Sequence, residues 1–182
     1  MSDPRLPDTI LMTPLAQVTE VTGLGMVAIR ADLARAGDAI ADAAGLAIPA
    51  PNRFVTDGGR WLGWMSPDEL LLILPAAEVA LALAALTDAL AGEHALVADV
   101  SDMRCVFDLS GRKPAQALSK LCPVDFGALP ADGMRRTRAA QIACAVWPQG
   151  QGWRITAFRS VTDYLRGILT AAAAPGTDLE PR

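Results

Sequence analysis

The stretch over residues 97–125, VADVSDMRCVFDLSGRKPAQALSKLCPVD, constrains the fold more than any other part of the chain. Residues 97–100 and 104–109 are rich in β-branched and apolar side chains, which favours strands. Ser101 and Asp102 lie between them and are typical of a turn. The pattern predicts a tight pair of strands joined by these two residues.

A short helix is expected directly after this pair. Ser110 and Gly111 end the extended run, and Pro114 suits the first turn of a helix, where a backbone N–H has no helical partner. Pro123 then terminates the helix. The apolar residues expected on its inner face are Ala115, Leu118, Leu121 and Cys122.

Elsewhere, apolar runs between turn signals predict strands over residues 26–30, 53–57, 60–65, 69–74, 134–147 and 153–158. The run at 69–74 is apolar after its first residue and is expected at the centre of a sheet, whereas 134–147 is expected to form one long, bent strand. Helices are predicted between Asp32 as cap and Gly45 as terminator, from Pro75 to about residue 91, and after Ser160 as cap.

This order of elements predicts an α+β fold made of two pseudo-related, ferredoxin-like βαββαβ halves, with antiparallel or mixed sheet and helices on one face. The expected organisation is an extended arm over residues 1–15, one domain over 16–174 and an irregular tail over 175–182. The two halves are expected to cover roughly 16–100 and 101–174.

Length and charge exclude several classes of function. At 182 residues the chain suits one sizeable core. Its net charge of -4 and pI near 4.9 argue against binding to nucleic acid or to an anionic membrane surface, since both require a basic footprint. The apolar share of 52% leaves a surplus that could lie against a partner.

The cysteines and the N-terminal sequence favour a cytoplasmic protein. Cys105, Cys122 and Cys144 are odd in number and contain no C-x-x-C pair, so neither a disulfide framework nor a zinc site is indicated. A reducing compartment fits this usage. The N-terminal sequence MSDPRLPDT lacks the basic start and apolar core of a signal peptide.

No catalytic cluster emerges from the motifs. The G-x-G-x-x-A pattern at residues 23–28 is followed by a strand rather than a helix, which favours a turn over a dinucleotide site. His94, the single histidine, has no partners at catalytic spacing and is interpreted as a surface residue. Asp99 and Asp102 flank Ser101, and a structural turn is favoured over a carboxylate pair. The tryptophans are interpreted as core and interface aromatics.

Two features keep alternative interpretations open. Arg135, Arg136 and Arg138 could bind an anion or an acidic partner, or could protect a sheet edge from aggregation; the sequence favours neither. Arg136 and Arg138 are expected to share a strand face that also carries Ala140, Ile142, Cys144 and Val146. The predicted helix after Pro75 has a second, alanine-rich face, which indicates either helix propensity alone or contact with another subunit.

Several segments together resemble the gamma subunit of heterotetrameric sarcosine oxidase, a family related in fold to the folate-binding domain of aminomethyltransferases. Their order and spacing carry the resemblance. They are LAIPAPN (46–52), LGWMSPDELLL (62–72), VADVSDMR (97–104), LSG (109–111), KLCPVD (120–125), Thr137-Arg138, Arg159-Ser160 and Tyr164-Leu165.

The resemblance implies a small subunit of a complex that demethylates sarcosine oxidatively to glycine. The partners would be the alpha, beta and delta subunits, which would carry FAD, FMN, NAD and tetrahydrofolate. This chain would hold no cofactor, metal or catalytic residue. The alternative is a free-standing folate- or anion-binding domain of the same fold, for which Arg104, Arg135, Arg136 and Arg138 are the anion-site candidates.

Overall fold

The computed structural model describes residues 14–179, whose strands form two sheets of five strands each. Numbered along the chain, the elements are β1 (Gln17–Glu20), β2 (Leu24–Arg30), α1 (Leu33–Ala44), β3 (Phe54–Asp57), β4 (Arg60–Ser66), β5 (Glu69–Pro75), α2 (Val79–Ala89), β6 (Leu96–Asp99), β7 (Arg104–Ser110), α3 (Pro114–Ser119), β8 (Arg135–Ala139), β9 (Ile142–Gln149), β10 (Gly152–Phe158) and α4 (Thr162–Ala173).

The two sheets share one strand order. The first sheet runs β3-β4-β5-β2-β6 and the second β8-β9-β10-β7-β1, with neighbouring strands antiparallel throughout. Strands β2, β4, β5 and β6 with α1 and α2 form the ferredoxin-like unit, and β7, β9, β10 and β1 with α3 and α4 form its counterpart. The predicted α+β fold of two pseudo-related halves is confirmed.

The first strand in the described part of the chain, β1, completes the second sheet. β1 pairs with β7 and so takes the place that β6 takes beside β2. The backbone bonds repeat as well: Val100 N–H donates to the Met26 carbonyl at 2.8 Å, and Val21 N–H donates to the Val106 carbonyl at 2.9 Å. Residues 17–20 are thus an exception to the expected division into halves near residue 100.

Helices cover the outer face of each sheet, and the inner faces of the two sheets meet. α1 and α2 pack on Leu70 and Leu72 of the first sheet, and α3 and α4 pack on Phe107 and Leu109 of the second. The layers are therefore helix, sheet, sheet, helix. The cluster between the sheets consists of Met26, Trp61, Met65, Leu71, Ile73, Val100, Val106, Met134, Ala145 and Trp147.

The predicted strand pair over residues 97–109 is wrong. β6 bonds to β2 in the first sheet, whereas β7 bonds to β1 and β10 in the second. A single 3-10 turn at Ser101–Met103 carries the chain from one sheet to the other. The sequence identified the turn from local chemistry, but the partner of each strand is decided by packing with residues far away in the chain.

The predicted single strand over residues 134–147 is also wrong, because it contains a hairpin. β8 ends at Ala139, Ala140 adopts a left-handed φ of 51°, and β9 begins at Ile142. A left-handed φ is unfavourable for alanine, and turns of this kind usually carry glycine or asparagine. Neither residue is present here, so the turn could not be recognised from the sequence. The Ala140 N–H donates to the Leu121 carbonyl at 2.8 Å, which helps to hold the turn in place.

The ends of α1 follow the predicted capping chemistry. Asp32 accepts a hydrogen bond from the Ala34 N–H at 3.0 Å, and Gly45 ends the helix with a φ of 70°. These residues satisfy backbone groups that the helix leaves without partners.

The starts of α2 and α4 differ from the prediction. Pro75 is the last residue of β5, and a 3-10 turn at Ala76–Glu78 precedes α2. A matching turn at Arg159–Val161 precedes α4, which has no side-chain cap, so Ser160 is not the cap. A tight turn therefore redirects the chain in both halves where capping was expected to start the helix.

The predicted arm over residues 1–15 falls outside the described residues up to residue 13. Leu15 is fully buried and donates its N–H to the Ala173 carbonyl at 2.9 Å. In the expected tail, residues 180–182 are likewise outside the described part, and Asp178 binds the Lys113 ammonium at 2.7 Å. The described ends of the domain are thus attached to α4 and to the start of α3.

Gly25 explains the glycine pattern near the start of β2. A Cβ on this residue would lie 2.0 Å from Cγ2 of Val79 and 3.2 Å from Cα of Ala76. The strand therefore passes closer to the start of α2 than a larger residue allows. Gly23 forms the turn before β2 with a φ of 76°, so the expected turn with a strand after it is confirmed.

Replacing Gly25 with alanine should lower the free energy of unfolding by about 1–3 kcal/mol, because the added methyl overpacks the contact with α2. Val79→Ala removes the nearest atom, so the double variant should lose less than the sum of the single variants. Gly167→Ala, in open space on α4, is the control and should raise stability by up to about 1 kcal/mol. Urea denaturation followed by circular dichroism measures all four, and additive losses would contradict the contact.

Candidate functional site

The polar residues at the crossing between the sheets bind one another. The Asp99 carboxylate accepts from the Ser101 N–H at 2.9 Å and from its hydroxyl at 2.5 Å. The Ser101 hydroxyl oxygen accepts from the Met26 N–H at 2.9 Å. These bonds to Ser101 hold the pKa of Asp99 below its ordinary value. The predicted structural use of these residues is confirmed.

The second acidic residue of the crossing, Asp102, is bound through its backbone carbonyl. Arg159 Nε donates to the carbonyl of Asp102 at 2.9 Å, which ties the crossing to the turn before α4. Ser101 is therefore a bridge between a carboxylate and a strand N–H, with no histidine or lysine in these bonds to act as a base.

His94 is exposed in the turn before β6 and lines an open groove of about 1110 Å³ at the start of α1. Two ion pairs lie in this groove, since Arg30 binds Asp68 at 2.6 Å and Arg35 binds Glu93 at 3.1 Å, while Asp32 caps α1. The prediction that His94 is a surface residue is confirmed.

Within residues 14–179, no three histidine, cysteine or acidic side chains are arranged to hold a metal ion. The three cysteines are buried and free. The Cys144 thiol lies against Cys122, and this interaction together with burial raises the pKa of Cys144. Cys144 is therefore a neutral thiol of the core, packed with Cys122 under α3.

The tryptophans between the sheets form a stack. Trp61 and Trp147 have ring centroids 4.4 Å apart, and Phe54 extends the stack at 5.6 Å from Trp61. Trp153 meets Phe126 edge-on at 4.7 Å on the other side of the second sheet. The prediction of core aromatics is confirmed for these three tryptophans, and the buried indole N–H groups of Trp61 and Trp147 have no hydrogen-bond partner among residues 14–179.

Arg104 is partly buried and packs on an aromatic ring. Its guanidinium lies 5.4 Å from the centroid of the Phe158 ring, and burial lowers its pKa. Glu69 opposes that decrease, while Arg136 adds to it. Arg136 donates to the Met65 carbonyl at 2.9 Å and lies 3.7 Å from the Glu69 carboxylate. The structure therefore brings Arg104 and Arg136 around Glu69.

Arg135 and Arg136 line a small cavity beside the loop that precedes β8. Its volume is about 320 Å³, and Pro123, Asp125 and Leu129 complete its wall. The Asp125 carboxylate accepts from the Gly127 and Ala128 N–H groups, so it is engaged within its own loop. Arg138 lies at the hairpin and donates to the Gln141 carbonyl at 3.2 Å.

Arg136 and Arg138 share one face of β8 and Arg135 lies on the other, as expected, but the neighbours expected beside Arg136 and Arg138 are wrong. In the observed register Arg136 is opposite Ala145 and Arg138 is opposite Ala143, whereas Arg135 is opposite Val146. The two-residue turn reverses which residues face inward, because side chains alternate along each strand. Arg136 and Arg138 thus share a face with the alanines and not with Ile142, Cys144 and Val146.

Glu69 is the residue of this cluster that the sequence interpretation missed. It is the only charged residue of β5, and its side chain is mostly buried beside Arg136. A lone acid at the start of an otherwise apolar central strand was the available signal, because such a charge requires a partner.

In the described part of the chain, no helix is long and apolar enough to cross a membrane.

The duplicated fold defines a class of domains. The aminomethyltransferase T of the glycine cleavage system from Bartonella henselae has a similar structure, with a TM-score of 0.64 over 87% of this chain and 46% of that chain at 15% identity. This likeness shows a shared fold. The chain therefore has the α+β domain architecture also found in that aminomethyltransferase.

Closer similarity identifies the family. The model of the sarcosine oxidase gamma subunit family matches residues 29–175. Sarcosine oxidase subunit gamma from Corynebacterium sp. (strain P-1) is 34% identical over 155 residues, covering 81% of this chain and 75% of that protein. The Arthrobacter sp. subunit is 32% identical over 167 residues, covering 86% and 81%. The chain belongs to the sarcosine oxidase gamma subunit family.

A solved complex contains a chain of the same shape. The heterotetrameric sarcosine oxidase from Corynebacterium sp. U-96, in complex with pyrrole 2-carboxylate, matches with a TM-score of 0.83 and 30% identity. The match covers 92% of this chain and 88% of that chain. The likeness therefore extends over both halves of the fold.

Replacing Ser101 with alanine should lower the free energy of unfolding by about 1–3 kcal/mol at neutral pH, because it leaves the Met26 N–H without its acceptor. The loss should shrink as the pH falls below about 3.8, the ordinary pKa of Asp99. The pKa of Asp99 is lower in the folded state, so its carboxylate stabilises the fold above about pH 3.8. This stabilisation is lost as the pH falls through the folded-state pKa.

Ser119→Ala is the control, because this hydroxyl bonds only within α3 and is exposed. Denaturation curves recorded from pH 7 to pH 2.5 measure the difference between each variant and the original chain. A difference for Ser101→Ala that stays constant over this range would contradict the role of Asp99.

Proposed function

We propose that this chain is the non-catalytic gamma subunit of a cytoplasmic, heterotetrameric sarcosine oxidase-like complex, which demethylates sarcosine oxidatively to glycine. The observation that carries the proposal is the match to a chain of the Corynebacterium sp. U-96 heterotetramer over 92% of this chain and 88% of the other. A match on that scale includes both sheets, which supports the same role in assembly.

The proposed partners are the alpha, beta and delta subunits, and FAD, FMN, NAD and tetrahydrofolate are proposed to bind in them. The use of polar groups in this chain supports a structural role. Asp99 and Ser101 fasten the crossing turn to β2 and β6 of the first sheet, and Arg154 forms a two-bond ion pair with Asp108 at 2.6 and 2.8 Å in the second sheet. These side chains hold the fold together.

The outer face of α2 supports contact with a partner. Leu81 is 71% exposed, and Ala80 and Ala84 are exposed beside it on a helix with no charge before Asp88. Burying such a face against another subunit would be favourable by about 25 cal/mol per Å² of apolar surface. Of the two interpretations of this face, the proposed function favours contact with a subunit.

Co-expression with the other three subunits from the same source organism tests the proposal. An affinity tag on this chain should retrieve the three partners in equal amounts, with flavin absorbance in the retrieved complex. The complex should consume oxygen on addition of sarcosine. The purified chain alone should show neither flavin absorbance nor oxygen consumption.

Two outcomes would contradict the proposal. One is that this chain elutes alone from a sizing column after co-expression. The other is that the isolated chain binds tetrahydrofolate in calorimetry and that Arg104→Ala or Arg136→Ala abolishes the heat, which would support the free-standing folate- or anion-binding alternative.

A further inference from the structure

β8 is an outer strand with an open backbone edge. It pairs with β9 on one side. On the other side, the described part of the chain bonds only to the residues just before β8: the Met134 N–H donates to the Asn52 carbonyl at 3.0 Å, and Gly133 forms an isolated β-bridge with Arg53. Within residues 14–179, no other backbone hydrogen bond reaches residues 135–139. An edge of this kind presents unpaired N–H and C=O groups that can accept a further strand.

This edge carries three exposed arginines within four residues, and the described part of the chain neutralises them poorly. Arg136 has one acidic neighbour, Glu69, at 3.7 Å, and its short hydrogen bond goes to a carbonyl. Arg138 also bonds to a carbonyl, and Arg135 forms no ion pair with a described residue. A positive strip therefore stands on a chain whose net charge is -4.

The matching edge of the first sheet has no such charge. β3 occupies the equivalent outer position, and its residues are Phe54, Val55, Thr56 and Asp57. Both edges need protection against unwanted pairing, because both lie at the end of a five-stranded sheet, and at β3 the Phe54 N–H already donates to the Asp132 carbonyl. Since β3 carries no arginine, protection of the edge does not account for the arginines of β8.

We infer that the outer edge of β8 is the docking surface for an extended, acidic segment of a larger subunit of the complex. The segment adds as a sixth strand, and its carboxylates pair with arginines on both faces of β8. Arg136 and Arg138 meet acids two residues apart on one face, and Arg135 meets an acid on the other. Charge complementarity sets the register, and the backbone edge supplies hydrogen bonds.

The cavity beside Arg135 and Arg136 extends this surface. Its wall combines the two arginines with Pro123, Leu129 and one acid, Asp125, whose carboxylate is engaged by the backbone of its own loop. The cavity therefore suits a side chain with an apolar stem and a carboxylate end. A glutamate of the docked segment has this form. The inference rests on the proposed function, since the segment belongs to a subunit of the proposed complex.

Hydrogen exchange of the original chain, alone and in the assembled complex, tests the docking edge without a mutation. The amides of Arg136 and Arg138 face the open edge, because they alternate with amides that bond to β9. They should exchange slowly in the complex and rapidly in the free chain, whereas the amide of Thr56, which faces outward on the matching edge, should change little. Unchanged exchange at Arg136 and Arg138 in an assembled complex would overturn the inference and leave the proposed function intact.

Charge variants test the arginines. Replacing Arg135, Arg136 and Arg138 together with glutamine should weaken binding to the other subunits by about tenfold or more and should reduce its dependence on salt. Replacing all three with lysine should restore most of the affinity. The control is Arg30→Gln, Arg35→Gln and Arg166→Gln, which removes three exposed arginines elsewhere and should leave the affinity within about twofold.

The outcomes separate the two proposals. The docking inference alone fails if the glutamine triple variant binds the other subunits as well as the original chain does. The denaturation curve of the variant must show that it is folded. If the original chain binds none of the subunits, the proposed function fails. A further outcome is that amide exchange at residues 135–139 slows when a DNA oligonucleotide is added but does not slow in the assembled complex. That result would show that the arginines of β8 bind a polyanion and would overturn the acidic-segment inference.

Discussion

The contact between the two sheets is the constraint on which the rest of the structure depends. Each sheet has helices on its outer face, so its inner face must be covered by the other sheet. The Trp61–Trp147 stack lies in this layer, and neither indole N–H has a partner in the described part of the chain, at a desolvation cost of about 1–3 kcal/mol each. Close packing of large aromatic and aliphatic surfaces must offset that cost.

Local chemistry made much of the fold predictable. The cap at Asp32, the terminator at Gly45 and the apolar run of β5 indicate their elements correctly, because each signal acts within a few residues. The crossing at Ser101–Met103 and the turn at Ala140 were misinterpreted for the opposite reason. At the crossing, strands adjacent in sequence belong to different sheets, and at Ala140 the fold imposes a conformation that alanine alone disfavours.

The candidate site was predictable in composition but not in geometry. The sequence grouped Arg104 with Arg135, Arg136 and Arg138, and the structure keeps only Arg136 near Arg104, with Glu69 between them. Contacts between residues on different sheets cannot be read from spacing in the chain. The comparison of β8 with β3 likewise depends on the observed duplication, because the sequence shows no repeat that would align the two edges.

The position of β1 gives the two halves different histories during synthesis. All strands of the first sheet lie between Leu24 and Asp99, so this half can pair its strands as soon as they leave the ribosome. The second sheet needs β1, which is made first and pairs with β7 only after the whole first half has been made. Closing that long loop costs entropy and slows folding. A newly made chain therefore keeps its earliest strand unpaired longest, and the first half serves as the surface on which the second assembles.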